Sequence, residues 1–308
     1  MKEITYRNIM EKIKVSYGTF PPQQQKIANF ILTHYPKIAF LTATQLGEAV
    51  GVSQPTVVRF CQFLGFSGYS EFTEILQKRV RHELTTTERF SLSLSETEKT
   101  LMYPQRILFQ EIRKLRELAE NFPVKIFNEA VYEIIKSEKI FVIGMRGSAS
   151  LAQYFSYFLR KVKRPVYNLS HGGTVEYDII MEMTSNDLAV VIAFPRYPRE
   201  TIEISKLIKD KGGKILAITD NSESPLFPLA SKVLLTPISF TTLFDSYSAP
   251  LCLLNMLVTE VGRKDSETSQ KLLEDYEAMA QKTGVFYKAP GVKNHEDIKQ
   301  KNDEKKGF

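Results

Sequence analysis

Between residues 139 and 262, short apolar runs rich in β-branched residues alternate with stretches of helical periodicity, and this alternation limits the possible folds more than any other feature of the chain. The candidate strands are residues 140–143, 165–169, 188–194, 214–219 and 232–236; the helices are residues 148–162, 174–183, 200–211 and 241–261. Several of these strands are nearly all apolar, as strands covered on both faces must be. Strands joined through helices imply a parallel five-stranded sheet with helices on both faces, an α/β three-layer sandwich. In such a sheet ligands bind outside the carboxyl ends of the strands, so the loops that follow each strand are where a site belongs.

The N-terminal part has a different grammar. A chain of 308 residues exceeds what one core usually organises, and its first part is helical throughout. In the run Val52-Ser53-Gln54-Pro55-Thr56-Val57-Val58-Arg59-Phe60-Cys61-Gln62-Phe63-Leu64-Gly65-Phe66, Ser53 is placed to cap a helix and Pro55 falls in its first turn. Val57, Phe60, Cys61 and Leu64 share one face, which is the core side; Gln54, Thr56, Arg59 and Gln62 share the other. Upstream, Thr42-Ala43-Thr44-Gln45 fits a capping box, followed by a short helix with Leu46, Ala49 and Val50 inward and a break at Gly51. This is a helix-turn-helix pattern. Its DNA-facing candidates are Thr44, Gln45, Ser53, Gln54, Thr56 and Arg59, with Arg59 foremost. Spacing alone fits a helical hairpin packed in a core equally well. Charge leans toward DNA: residues 1–82 hold ten Lys or Arg against five Asp or Glu, a surplus of five within a formal net charge of +6.

Between the two regions, Leu84-Thr85-Thr86-Thr87 and Ser91-Leu92-Ser93-Leu94-Ser95 have the composition of a solvated connector. Helical spacing resumes at 104–121 with Ile107, Leu108, Ile112, Leu115 and Leu118, then at 124–136 with Ile126, Phe127, Ala130, Ile134 and Ile135 inward. A last amphipathic helix carries Leu272, Leu273, Tyr276 and Met279, and residues 294–308 have too few apolar side chains to pack. The boundaries expected are a DNA-binding domain at 1–82, a linker at 83–103, an α/β domain at 104–265, and a C-terminal helix and flexible tail at 266–308. Cys61 and Cys252 belong to no metal-ligand cluster and are expected to be buried small hydrophobes, so no metal and no cofactor is expected. No apolar run has the length of a membrane span and the N-terminus lacks a signal-peptide core; a cytoplasmic protein is expected.

Three strand-following loops carry polar chemistry. The first is Gly144-Met145-Arg146-Gly147-Ser148, where amides at a helix start, a hydroxyl and a guanidinium form a plausible anion site; glycines here also serve as a plain tight turn. The second is Ser170-His171-Gly172-Gly173-Thr174, whose histidine can bond a sugar hydroxyl, act as an acid or base, or do no chemistry. The third is Arg196-Tyr197-Pro198-Arg199-Glu200-Thr201, whose arginines suit phosphate or carboxylate, or are surface side chains, with Arg199 paired to Glu200.

Residues 19–80 resemble the N-terminal domain of RpiR-type transcriptional regulators. The likeness lies in Phe20-Pro21, Gln25-Lys26-Ile27-Ala28, Leu46-Gly47, Val52-Ser53, Thr56-Val57-Val58-Arg59-Phe60 and Leu64-Gly65-Phe66-Ser67-Gly68-Tyr69-Ser70-Glu71-Phe72, with Gly47 where the family usually has Ala. Residues 122–262 are similar to the SIS (sugar isomerase) domain that follows in that family, whose first loop commonly runs Gly-x-Gly-x-Ser and third Ser-x-Ser-Gly-x-Thr. Gly144, Ser148 and Thr201 match those patterns, whereas Arg146 replaces a Gly and both third-loop Ser positions and its Gly are replaced. The resemblance implies that Ser and Thr hydroxyls cradle the phosphate of a phosphosugar. Ligand-binding candidates are therefore Gly144, Arg146, Ser148, Ser170, His171, Arg196, Tyr197, Arg199 and Thr201, the arginines supplying charge where hydroxyls are missing.

These features point to a regulator that binds a palindromic operator in double-stranded DNA as a homodimer or homotetramer, with an anionic sugar derivative as effector and no membrane partner. The helix with Leu251, Leu253, Leu254, Met256 and Leu257 is either dimer interface or core. An aldose/ketose isomerase or phosphosugar lyase carrying a DNA-binding domain is the enzymatic alternative, although no acid/base pair stands out; a ligand-free dimerisation module is the third.

Overall fold

In the computed structural model, which describes residues 6–39, 41–83, 103–239 and 244–287 together with 85, 87 and 90, five helices organise the first 83 residues. They are α1 (Tyr6–Ser16), α2 (Pro22–Ile38), α3 (Ala43–Val50), α4 (Gln54–Phe63) and α5 (Tyr69–Glu83). Ile13, Ile27, Ile31, Leu46, Val57, Phe60, Phe72 and Leu76 are fully buried between them, which is the helical-spacing pattern realised as one core. The Phe20 ring packs tilted on Phe60 and edge-on against Phe63, each at 5.2 Å between centroids, fixing α4 to the segment before α2. Tyr69 donates its hydroxyl to Leu41 O at 3.0 Å, tying α5 to the approach of α3.

The capping box forms in full: Gln45 N donates to Thr42 Oγ1 at 3.2 Å, and Thr42 N to Gln45 Oε1 at 2.8 Å. Gly51 closes α3 at φ 71°, a left-handed backbone that a side chain would strain. The turn is so tight that a Cβ on Gly47 would lie 2.6 Å from Val52 O. Ala49, expected inward, is exposed; α3 has barely two turns and packs through Leu46, Gly47 and Val50. The linker residues Leu84, Thr86 and the run from Ser91 to Ser95, and the tail at 294–308, lie outside the described residues.

The second region begins with α6 (Tyr103–Glu120) and α7 (Val124–Lys136) and continues as β1 (Ile140–Ile143), α8 (Gly147–Leu159), β2 (Val166–Leu169), α9 (Thr174–Met181), β3 (Leu188–Ile192), α10 (Arg199–Asp210), β4 (Lys214–Thr219), β5 (Lys232–Leu235), α11 (Ser248–Lys264) and α12 (Ser266–Thr283). All strand pairings are parallel, in the order β2-β1-β3-β4-β5; Ile140 sits opposite both Val166 and Leu188, Leu188 opposite Lys214, and Leu216 opposite Lys232. Alternate strand residues feed two cores. Ile140, Val142, Val190, Ile192, Leu216 and Ile218 meet α7, α8 and α11; Phe141, Ile143, Ala189, Val191, Ile215 and Ala217 meet α9 and α10. The chain leaves β1 in one direction through α8 and returns to β3 through α9 on the opposite face. The carboxyl ends of β1 and β3 thus form the topological switch point, where an open parallel sheet leaves a crevice.

Several expected burials shift by a fraction of a helical turn. On α6 Leu118 alone is buried among the described side chains, while Leu108, Ile112 and Leu115 are exposed. On α7 the inward seam is Phe127, Ala130, Val131 and Ile134, leaving Ile126 outside. On α11 it is Leu253, Leu254, Leu257 and Val261, so Cys252 is exposed rather than buried and Leu251 is partly exposed. On α12 Ser269 and Ala280 are buried, whereas Leu273 and Met279 are exposed; Ser269 Oγ donates to Val162 O at 3.1 Å, anchoring the helix by a hydrogen bond. The helix expected from 241 starts at Ser248, and residues 244–247 form a loop.

Candidate functional site

Two places concentrate exposed polar groups on rigid supports, the outer face of α4 and the crevice between β1 and β3. On α4 the four inward positions, Val57, Phe60, Cys61 and Leu64, are all buried, and burial pushes the Cys61 thiol up to about 12. The opposite face presents Gln54, Arg59 and Gln62 to solvent with Thr56 half-buried. Thr44 and Gln45, in the first turn of α3, are exposed beside it. Ser53 caps α4 by position, but its hydroxyl meets Thr56 Oγ1 at 2.9 Å instead of a backbone amide. Lys12 Nζ reaches Leu64 O at 3.1 Å at the other end of the helix, where a cation suits the dipole. A concavity of about 370 Å³ beside the turn is lined by Ser53 and Thr56, with Glu48 and Gln23. Gln23 was not anticipated from the sequence; its position in the first turn of α2 is the signal that could have found it.

The crevice between β1 and β3 is about 320 Å³ and is walled by three segments. The first is the turn from β1 into α8, with Met145, Arg146, Gly147 and Ser148. Gly144 is required just behind it, because a Cβ there would lie 2.9 Å from Ser148 O and 3.3 Å from Ile192 O. Arg146 has φ 53°, a region rarely used by residues with a side chain, and stands immediately before the α8 N-terminus, where amides favour an anion. The second segment follows β3 and contributes Phe194, Pro195, Arg196 and Pro198; the Pro195–Arg196 peptide is cis. The third is the loop before α11, with Phe244, Asp245 and Tyr247. Tyr247 packs on Phe194 at 5.4 Å between centroids and lies against Gly147, where a Cβ would be 2.8 Å from its hydroxyl.

The structure therefore brings together Arg146, Ser148 and Arg196, with Gly144 beneath them. Other candidates are engaged elsewhere. Arg199 is almost fully exposed and pairs with Glu203 at 2.6 Å rather than with Glu200, one turn of helix setting that partner. Tyr197 donates to Asp220 Oδ1 at 2.7 Å, and its pKa is raised first by burial and then by that carboxylate. Thr201 is fully buried, and its Oγ1 has no hydrogen-bond partner among the described residues. Ser170 accepts from Asn168 Nδ2 at 3.0 Å; His171 is exposed and its backbone N–H donates to Glu176 Oε1 at 2.8 Å. Glu200 instead holds the second loop, accepting from Gly173 N at 2.7 Å with Gly172 packed against it. Phe244 and Tyr247 were not anticipated, since that loop was expected to be helical. Pro250 marks the first turn of α11 and is the signal that places the helix start after 247.

Two family models match the chain. The model of the rpiR-family helix-turn-helix domain matches residues 7–83, and that of the SIS domain matches residues 133–260. An HTH-type transcriptional regulator of Haemophilus influenzae is 26% identical over 232 residues, covering 74% of this chain and 79% of that protein. The HTH-type transcriptional regulator HexR of Pseudomonas aeruginosa is 24% identical over 220 residues, covering 69% and 73%. Among solved structures, the Vibrio vulnificus NanR protein complexed with ManNAc-6P superposes with a TM-score of 0.55 at 19% identity, covering 91% of this chain and all of that one. The sugar isomerase domain of an RpiR transcription factor from Sphaerobacter thermophilus gives a TM-score of 0.55 at 22% identity, covering 57% and 98%. These likenesses establish the arrangement of helices and the parallel sheet.

Proposed function

The chain belongs to the RpiR-type transcriptional regulators, with a helix-turn-helix domain followed by a SIS domain, and from that premise we propose that it binds operator DNA through α4 and adjusts that binding when a phosphorylated or otherwise anionic sugar occupies the β1/β3 crevice. The observation that carries this reading is the crevice itself. Two guanidinium-bearing residues, Arg146 and Arg196, line it together with a helix N-terminus and the Ser148 position, all on the switch point of the sheet. NanR, of the same overall fold, is described in complex with ManNAc-6P, a phosphosugar. Asp245 is the one carboxylate among the described lining residues and no histidine stands beside it, which favours binding and release over proton transfer. The relatives from Haemophilus influenzae and Pseudomonas aeruginosa carry the names of transcriptional regulators.

On α3 and α4, Arg59 and Gln54 are assigned to base edges or phosphates, with Thr44, Gln45, Ser53 and Thr56 at the flank. Helix-turn-helix modules usually occupy paired half-sites, so two copies are needed on a palindromic operator. The face for the second copy is assigned to α6, where Leu108, Phe109, Ile112 and Leu115 are more than a third exposed along one side, instead of to the largely buried α11. No helix among the described residues is long and apolar enough to cross a membrane. The helix-turn-helix match supports a cytoplasmic place of action, where operator DNA lies. Thermal-shift screening of the full chain against hexose 6-phosphates and N-acetylhexosamine 6-phosphates tests the sensing role. Stabilisation by one of these, with a change in operator affinity, is the expected result; turnover of the compound would assign an enzyme instead. Ile112→Asp should shift the chain to monomer in sedimentation, and an unchanged dimer would place the interface elsewhere.

A further inference from the structure

The loop that walls the cleft is bonded to the helix that follows the linker. Phe244, Asp245 and Tyr247 line the cleft, and Ser246 stands among them. Its Oγ–H donates to Glu111 Oε2 at 2.7 Å, while its backbone N–H donates to Ser239 O at 3.1 Å. Glu111 belongs to α6, the first helix after the segment leading from the DNA-binding domain. α6 packs against α11, and its inward seam runs Ile107, Glu111, Lys114, Leu118 at helical spacing. Leu118, near the C-terminal end, enters the core. In the first half of the helix Ile107, Gln110 and Glu111 are half-buried, and Glu111 is bonded to the cleft wall.

That carboxylate is poorly suited to a merely structural role. Glu111 Oε1 is shut off from water and has no hydrogen-bond partner among the described residues, so half of the group is desolvated without compensation. The Oε2 bond to Ser246 is charge-assisted and holds while the wall stays in place. If the wall moves, water reaches both oxygens and little is lost. A ligand that touches the wall can therefore shift the contact by binding one position of the wall better than another.

We infer that the Glu111–Ser246 hydrogen bond passes occupancy of the cleft to α6, and through α6 to the linker and the spacing of the two recognition helices. Glu111 is then a positioning residue that touches no ligand. The inference rests on the β1/β3 crevice being the effector site, and a measurement without ligand separates the two.

In the first arm, amide hydrogen exchange over α6 is followed in the full chain with the cleft wall perturbed by Tyr247→Ala, or by the exposed Phe244→Ala should the first not fold. Exchange in the first half of α6 should rise about fivefold, and in a Ser246→Ala background the same wall substitution should add nothing further. Ser246→Thr, which keeps a hydroxyl, should restore the wild-type response. An equal rise with and without the hydroxyl, or no rise at all, overturns the coupling. In the second arm, operator duplex is selected from random-sequence DNA, and N-acetylmannosamine 6-phosphate and glucose 6-phosphate serve as probes. Ser246→Ala should keep the probe Kd within about twofold and lose most of the probe-induced change in operator Kd. A full response in Ser246→Ala also overturns the inference. Should neither probe bind the wild type, sensing of these phosphosugars is refuted, and the exchange arm decides the coupling by itself.

Discussion

Replacing Gly144 with alanine sets a Cβ 2.9 Å from Ser148 O, 3.1 Å from Ala152 Cβ and 3.3 Å from Ile192 O. Two of these neighbours are backbone atoms, one in the first turn of α8 and one at the end of β3 beside its ladder, and the third is a fully buried methyl. None can turn away, so relief requires α8 to move off the sheet. Overpacking of this kind costs about 2 kcal/mol, which for a domain of this size lowers Tm by about 4–8 °C. Gly147 supplies the control. A Cβ there meets the Tyr247 hydroxyl at 2.8 Å, the tip of a side chain that can swing aside, so Gly147→Ala should cost less than about 1 kcal/mol. Neither glycine has a left-handed backbone, and both substitutions stiffen the unfolded chain alike, so the difference isolates packing. Scanning calorimetry of the full chain reads it directly. Equal losses in the two variants, or a Gly144→Ala chain as stable as wild type, would refute the close approach of α8 to β3 as the reason for this glycine.

Other outcomes follow from the same geometry. Arg59→Ala should weaken operator binding by about 1–3 kcal/mol with Tm unchanged, since the side chain is exposed; undiminished binding in a gel-shift titration would remove α4 as the reading helix. Arg196→Ala should abolish thermal stabilisation by an anionic sugar while Arg199→Ala leaves it intact, because Arg199 lies outside the crevice and pairs with Glu203; the reverse order would reassign the third loop. Phe60→Ala should destabilise the helical domain by about 3–5 kcal/mol in denaturant titration, as its fully buried ring joins α4 to Phe20. Cys252 should react with a thiol reagent in the native chain while Cys61, buried and with its thiol pushed up to about 12, stays inert to well above pH 8; fast labelling of Cys61 would contradict the packing of α4.

The parallel sheet was legible because each strand is short, apolar and followed by a turn, and β1 and β4 begin and end where the pattern placed them. The helix-turn-helix was legible through position-specific chemistry: Thr42 with Gln45 can cap only one helix start, and Gly51 can close only one end. Helix faces were less secure. On α6 the apolar side chains Leu108, Ile112 and Leu115 follow a helical period, but period does not say which neighbour the face meets, and these side chains stay exposed. The cleft was half legible. Arg146, Ser148 and Arg196 follow strands that the pattern locates, whereas Phe244 and Tyr247 come from a loop that only the placement of Pro250 could have delimited. Tyr197 and Arg199 share a loop with Arg196, yet a turn and a helix start send one to Asp220 and the other to Glu203. Loop membership fixes proximity along the chain and leaves direction to the backbone.

The contact between Gly47 and Val52 O has a consequence for how such a protein changes its target. Because α3 meets α4 through bare backbone at the turn, the angle of the reading helix is set without help from the side chains that face outward. Arg59 and Gln62 are exposed further along α4, away from that contact, whereas Gln54 stands beside it with its side chain exposed. On the proposed reading of α4, Arg59 and Gln62 form an interchangeable surface on a rigid mount, so operator preference is expected to be open to change there while the mount, and the folding of the domain, stay as they are.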